Sequence, residues 1–258
     1  MKRLLILFLC LAILVSASGC SSLKPCSEDP NCTRVLFIGN SYTYVNDLPG
    51  TFAALAKSGK HRVETDMAAP GGWSLADHVE AAETRDKIKS SQWNFVVLQE
   101  QSQRPSDVVV RETKMYPPAR ILVSSIRKNG AEPIFFLTWG HKNGWPENAI
   151  MTYRDMQQGL NNGYLNIARE LDAQVSPVGV AWAVTVREKP EMNLWQEDGS
   201  HPAVSGTYLA ACIFYATIFQ ESPEGLSFLN GLSQVDAEWL QKVAADTVLE
   251  DKAKWNLP

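Results

Sequence analysis

The sequence is short of cysteine and histidine, with five cysteines and four histidines in 258 residues. No cysteines have the spacing of a zinc site. Phosphate-binding loops are missing as well, because neither Gly-x4-Gly-Lys-Ser/Thr nor Gly-x-Gly-x-x-Gly occurs. These absences argue against a metal centre and a nucleotide cofactor, and we expect neither.

The sequence also lacks basic runs, internal repeats and low-complexity segments. Its formal net charge is −4, and an acidic domain is a poor ligand for nucleic acid. Hydrophobic residues make up 45% of the chain, which is enough for one large α/β core. We therefore expect one main domain that does not bind nucleic acid.

The N-terminus has the three regions of a secretory signal peptide. Met1–Arg3 is basic, an apolar run covers residues 4–15, and small residues lead to Cys20. The apolar run is too short to span a membrane comfortably. Ala17-Ser-Gly-Cys20 resembles the bacterial lipobox, in which the cysteine is acylated after signal cleavage.

These features predict a lipoprotein-type signal peptide over residues 1–19, a lipidated tether over 20–33 and a folded domain over 34–258. Plain secretion is the alternative. Ser21 stands where an aspartate would resemble an inner-membrane retention signal, so we expect a lipid anchor in the outer membrane, facing the periplasm or the cell exterior. In that oxidising compartment, Cys26 and Cys32 could close a small loop.

Strands and helices alternate along the remaining sequence. Strands are predicted at residues 35–38, 62–67, 93–98, 133–139 and 173–178, and helices between them at 75–90, 108–128 and 151–171. This order predicts an α/β fold with a parallel sheet covered on both faces by helices. Functional loops should lie at the carboxyl ends of the strands.

Ser41 is the candidate nucleophile. It follows the apolar strand Val35–Ile38 and Gly39, and a helix beginning near Leu48 should come next. Backbone N–H groups at such a junction can stabilise a developing negative charge. A simple turn serine is the alternative.

Asp198 and His201 are the candidate partners of Ser41. Three positions separate them, which is close enough for the carboxylate to orient the imidazole in one loop. A nucleophilic serine needs such a base, and the base needs an orienting group. The other histidines are less suitable, because His61 and His78 lie in segments of structural character and His141 has no carboxylate three residues before it.

Three motifs together resemble those of the SGNH (GDSL-like) hydrolase superfamily. They are Gly39-Asn-Ser41, the glycine at 72 and Asp198-x-x-His201. The resemblance covers about residues 34–220 and implies a three-layer α/β/α sandwich with a flavodoxin-like parallel sheet. Its members are mostly esterases, lipases and carbohydrate deacetylases. It implies that Ser41 is the nucleophile, His201 the general base and Asp198 the orienting acid, and that the Gly72 N–H donates to the oxyanion.

The sequence departs from this family at the third strand. The family usually has Gly-x-Asn-Asp there, with the asparagine amide as an oxyanion donor, whereas this chain has Leu98-Gln-Glu-Gln-Ser. A glutamine amide can donate the same hydrogen bond, and sialate and xylan acetylesterase relatives carry a similar Gln-Gly-Glu motif. Gln99 is therefore the expected donor, with Gln101 in reserve.

The resemblance implies a cofactor-free serine esterase. The expected substrate is a short-acyl ester, such as an acetyl ester, on a carbohydrate. Four tryptophans near the predicted loops could stack on sugar rings, or they could pack the core instead. The alternative function is a lipid-tethered binding or structural module on the same fold. The tryptophans are Trp73, Trp139, Trp145 and Trp195.

Overall fold

The computed structural model describes residues 25–258, so the predicted signal peptide and Cys20 lie outside the described residues. Five parallel strands form one sheet, as predicted, with ends that differ by a few residues from the predicted ones. They are β1 Cys32–Ile38, β2 Arg62–Ala68, β3 Phe95–Leu98, β4 Glu132–Phe136 and β5 Gln174–Ser176.

The strand order is β2-β1-β3-β4-β5, which is the order of flavodoxin-like folds. The register aligns the carboxyl ends, since Ile38 pairs with both Ala68 and Leu98, and Leu98 pairs with Phe135. The chain turns to opposite sides of β1 to form β2 and then β3. Ligands of such sheets bind beyond the carboxyl ends at this reversal, and Ser41 lies three residues after the end of β1.

Helices cover both faces of the sheet. The ten α-helical segments in residues 25–258 are α1 Ser41–Tyr44, α2 Leu48–Ser58, α3 Leu75–Glu80, α4 Ala82–Lys89, α5 Val108–Val110, α6 Tyr116–Lys128, α7 Tyr153–Leu171, α8 Val178–Glu188, α9 Val204–Phe219 and α10 Gln234–Leu249. One layer contains α2, α8, α9 and α10, and the other contains α3, α4, α6 and α7.

Two predicted helices differ from the observed ones. The helix predicted over residues 75–90 is two helices, α3 and α4, which are separated at Ala81. The one predicted over 108–128 contains a π-helical turn, Arg111–Met115, immediately before α6. Pro117 and Pro118 are accommodated in the first turn of α6, where a missing N–H breaks no helical hydrogen bond.

The described part of the predicted tether is joined to the domain. Cys26 and Cys32 form a disulfide with 5.4 Å between their Cα atoms, and Cys32 is already the first residue of β1. Asp29 forms a 2.6 Å ion pair with Arg62 of β2. The predicted boundary at residue 34 thus lies inside β1, and the disulfide joins residues on the tether side of it. Among residues 25–258, no helix is both long and apolar enough to cross a membrane.

Candidate active site

Ser41 is the first residue of α1, immediately after the tight turn that ends β1. Asn40 caps α1, with its side-chain oxygen accepting a hydrogen bond from the Tyr42 N–H. Gly39 cannot carry a side chain, because a Cβ there would lie 2.4 Å from Gln99 Oε1 and from Thr43 Oγ1. The strand end, the glycine and the cap together place Ser41 at the N-terminus of the helix.

Ser41, His201 and Asp198 form a continuous relay. Ser41 Oγ is 2.9 Å from His201 Nε2, and His201 Nδ1 is 2.5 Å from Asp198 Oδ2. The second carboxylate oxygen of Asp198 accepts hydrogen bonds of 2.9 Å from the N–H groups of Ser200 and His201. Glu197 makes no such contact in the described structure. The geometry is that of a nucleophile, a base and an orienting carboxylate.

The surroundings keep Asp198 ionised. Burial raises the pKa of Asp198, but the hydrogen bonds from the His201 side chain and from the Ser200 and His201 N–H groups outweigh it, so that the net pKa is below the usual value. A carboxylate in this state can orient the imidazole and stabilise its charged form.

Neighbouring elements hold the loop that carries the acid and the base. Gln196 N donates to His201 O, and Trp195 pairs with Pro202 in an isolated bridge. Two bonds come from the segment after β4: Trp139 Nε1 donates to Ser200 O at 2.9 Å, and Lys142 N donates to Gly199 O at 2.8 Å. The loop is thus fixed to the sheet rather than free in solvent.

Gly72 lies beside the nucleophile turn. The Asn40 side-chain amide donates a 2.8 Å hydrogen bond to Trp73 O, which joins the two loops. Gly72 has a φ of +75°, a conformation that favours glycine. Neither the Gly72 N–H nor the Ser41 N–H donates to any residue within 25–258. Both N–H groups are therefore available to an outside acceptor.

The contacts of Gln99 differ from those expected of an oxyanion donor. Its side chain is fully buried, its Oε1 accepts hydrogen bonds from Asn40 N and Thr43 Oγ1, and its Nε2 donates to Glu100 O. If the amide were reversed, its Nε2 donor would face the Asn40 N–H, which is also a donor. The observed orientation is therefore required. Gln99 supports the nucleophile turn, and its side chain has no exposed surface. Gln101, the reserve, caps the next turn by accepting from Gln103 N and Arg104 N.

Two buried groups near the site were not identified from the sequence. The imidazole of His78 joins Gly39 O to Thr84 Oγ1, at 2.8 Å from each, and so supports the residue two positions before Ser41. Glu100 is fully buried and accepts hydrogen bonds from Gln101 N and Leu75 N. Its Oε2 has no partner in the described residues, and burial raises its pKa to about 7. The polar cluster after β3 was the available signal for Glu100.

A third group, His141, also lies next to the relay. It follows β4, and its Nε2 is 3.1 Å from both Ser102 Oγ and Ser200 Oγ. Its position near the end of a predicted strand indicated a place close to the site. It was not chosen as the base, because no aspartate stands three residues before it.

Two of the four tryptophans are not free to stack on a ligand. Trp139 is fully buried between Tyr42 and Trp182, with ring centroids 4.5 and 4.1 Å away. Trp195 is 6% exposed. Trp73 and Trp145 are half-buried. Within residues 25–258 no group of three or more histidine, cysteine or carboxylate side chains could hold a metal ion.

No protein-family model and no curated protein matches the sequence. Among solved structures, a candidate SGNH hydrolase from Slackia heliotrinireducens is 27% identical, with a TM-score of 0.61 over 73% of this chain and 100% of its own. A DUF4886 family protein from Bacteroides uniformis is 16% identical, with a TM-score of 0.66 over 84% and 95%. Axe2, an acetylxylan esterase from Geobacillus stearothermophilus, is 17% identical, with a TM-score of 0.55 over 71% and 92%.

Proposed function

Since the chain is an SGNH-type hydrolase, we propose that it is a serine esterase in which Ser41, His201 and Asp198 form the catalytic triad. The observation that carries this proposal is the relay itself, with 2.9 Å from Ser41 Oγ to His201 Nε2 and 2.5 Å from His201 Nδ1 to Asp198 Oδ2. The three residues come from two distant parts of the sequence.

In the proposed reaction, His201 accepts the Ser41 proton while Oγ attacks the ester carbonyl. Collapse of the tetrahedral intermediate breaks the bond to the alcohol oxygen, which takes the proton from His201 and leaves. A water molecule then attacks the acyl-enzyme with His201 again as base, and the acid and free Ser41 are released. Asp198 stabilises the imidazolium in both halves.

The oxyanion in this proposal is bound by backbone donors. The N–H groups of Ser41 and Gly72 have no acceptor among the described residues, and the bond from Asn40 to Trp73 O keeps their loops together. Donors fixed before the reaction stabilise charge that develops in the transition state without reorganisation. Gln99 is not part of this set, because its amide is committed to the turn.

A short-acyl ester on a carbohydrate is the proposed substrate. Support comes from the fold shared with Axe2, which is an acetylxylan esterase, and from the half-buried Trp73 and Trp145 near the strand ends, since aromatic rings provide apolar faces for sugars. No cofactor takes part in the proposed mechanism.

A fluorophosphonate probe tests the triad. The wild type should be labelled and should hydrolyse 4-nitrophenyl acetate, whereas Ser41→Ala should resist labelling and lose activity by a factor on the order of 10⁴ to 10⁶. Ser90→Ala is the matched control, because Ser90 is exposed at the end of α4. Equal labelling of Ser41→Ala and the wild type would place the nucleophile elsewhere, and a wild type without activity would favour a binding module.

We also propose that the mature protein begins at Cys20 and is anchored by lipid in the outer membrane. The support is the sequence of residues 1–20. Radiolabelled palmitate should enter the wild type and not Cys20→Ser. Release of both as unlabelled soluble protein would contradict the anchor without touching the esterase proposal.

A further inference from the structure

The imidazole of His141 is fixed next to the triad by groups that the proposed mechanism does not use. Its Nε2 lies 3.1 Å from Ser102 Oγ, which follows β3, and 3.1 Å from Ser200 Oγ. Ser200 immediately precedes His201, and its hydroxyl is 2.8 Å from the hydroxyl of Tyr42. Two hydroxyl groups from different parts of the fold thus hold the ring beside the base, and the Tyr42 hydroxyl holds one of them.

The other ring nitrogen of His141 is free for a ligand. Nδ1 has no hydrogen-bond partner in the described chain and is not one of its buried unsatisfied atoms, so it reaches solvent. Burial lowers the pKa of His141 and so favours the neutral ring. A neutral imidazole has one donor and one acceptor nitrogen. A hydroxyl can bind Nδ1 in either tautomer, whereas a carboxylate requires the donor.

The sheet order places Gly72 and His141 on opposite sides of the strand that leads to Ser41. Gly72 follows β2 on one side of β1, and His141 follows β4 on the other side. His201 must face the alcohol oxygen, because it returns the proton to that atom. The ring of His141 lies beside the His201 loop, so it adjoins the alcohol half of the substrate.

A cavity lies beside Lys142, the residue that follows His141. It has a volume of about 560 Å³, and its wall includes Lys142, Tyr153, Trp195 and Gln196. This volume lies within the range of small-molecule sites, roughly 300–1,000 Å³. The Tyr153 hydroxyl is buried and has no partner among the described residues. A buried hydroxyl without a partner costs free energy, and a ligand hydroxyl would remove that cost.

We propose that His141 and Tyr153 determine specificity by each binding a hydroxyl group of the alcohol half, which is therefore a polyol such as a sugar. Trp195 connects the two residues, since its Nε1 donates to Gly140 O and its ring packs edge-on against Tyr153. This inference rests on the proposed esterase function and adds the residues that recognise the sugar.

The test compares an acetylated methyl xyloside, whose alcohol half carries hydroxyls, with 4-nitrophenyl acetate, whose alcohol half carries none. His141→Phe should lower the ratio of kcat/KM for the sugar ester to that for the nitrophenyl ester by about tenfold, mainly through KM. An equal loss on both esters would mean that His141 only supports the triad loop, and would overturn its role.

Tyr153→Phe provides a second and independent test. It removes only the hydroxyl, so the specificity ratio should fall several-fold while the melting temperature of the free protein stays constant or rises, because an unsatisfied polar atom is removed. A drop in melting temperature with an unchanged ratio would overturn the role of Tyr153.

His61→Phe and Tyr215→Phe are matched controls, since both residues contact Glu221 in a separate cluster, and neither should change the ratio. A wild type that fails to hydrolyse 4-nitrophenyl acetate would refute the esterase function itself. An active wild type whose specificity ratio is unaffected in both test variants would refute only this subsite.

Discussion

At the scale of single residues, two carboxamides determine where the nucleophile lies. Asn40 binds the Trp73 carbonyl and the Tyr42 N–H, and Gln99 binds the N–H of Asn40 and the hydroxyl of Thr43. Both side chains are buried. The turn that presents Ser41 is therefore defined by side-chain hydrogen bonds as well as by its backbone.

Gln99→Ala should destabilise the protein. The substitution leaves the buried Asn40 N–H without its acceptor, and such a group costs about 1–3 kcal/mol. We expect a lower free energy of unfolding in urea, together with a loss of activity from the displaced turn. Gln158→Ala, on the exposed face of α7, should leave both quantities unchanged. If Gln99→Ala kept full stability but lost kcat about 100-fold, Gln99 would be an oxyanion donor after all.

At the scale of secondary-structure elements, the sequence predicted the parts of the fold that have strong local signals. Short apolar runs identified β1, β3 and β4, an alternating pattern identified β2, and β5 was predicted as well. The positions after the strands carry Ser41, Gly72 and His141. Helix α8 was missed, because Val178, Val180 and other β-branched residues in it favour strands. Tertiary packing against α9 and α10 overrides that preference.

The sequence likewise predicted only part of the candidate site. The order of residues in the sequence identified Ser41, Asp198 and His201, which the structure brings together. It did not show where the Gln99 amide points, since this depends on the distant Asn40 N–H. The pairing of His141 with Ser102 and Ser200 depends on three loops, and no spacing along the sequence encodes it.

Close packing between elements predicts the effect of a change in α7. In an ordinary helix, glycine to alanine stabilises by about 1 kcal/mol. Gly163 is different, because a Cβ there would lie 2.3 Å from the backbone oxygen of Pro105. Gly163→Ala should therefore destabilise, by about 1–3 kcal/mol or more, as measured by urea unfolding.

Asn162→Ala is the control for this packing effect, because Asn162 is the exposed neighbour of Gly163 in the same helix. It should be neutral or slightly stabilising. If Gly163→Ala were more stable than the wild type, the segment around Pro105 would have to move away from the new Cβ at little cost. Helix propensity alone would then determine the stability change at this position.

At the scale of the whole molecule, a single buried carboxyl group should make stability depend on pH. Glu100 has a pKa of about 7 in the folded protein, because burial disfavours its charged form, against 4.5 for the free side chain. Between these values the folded protein holds a proton that the unfolded chain has released. The contribution of Glu100 is therefore complete below pH 4.5 and is lost as pH rises through 7.

Glu100→Gln tests this dependence, since the amide resembles the protonated carboxyl group but does not titrate. The wild type should lose about 3 kcal/mol of unfolding free energy from this group between pH 4.5 and 7. The variant should lack that loss and should be the more stable protein at pH 8. Glu132→Gln, at the exposed start of β4, should retain the wild-type profile. Parallel profiles for the wild type and Glu100→Gln would mean that Glu100 stays ionised in the fold, with Arg104, 3.9 Å away, compensating its charge.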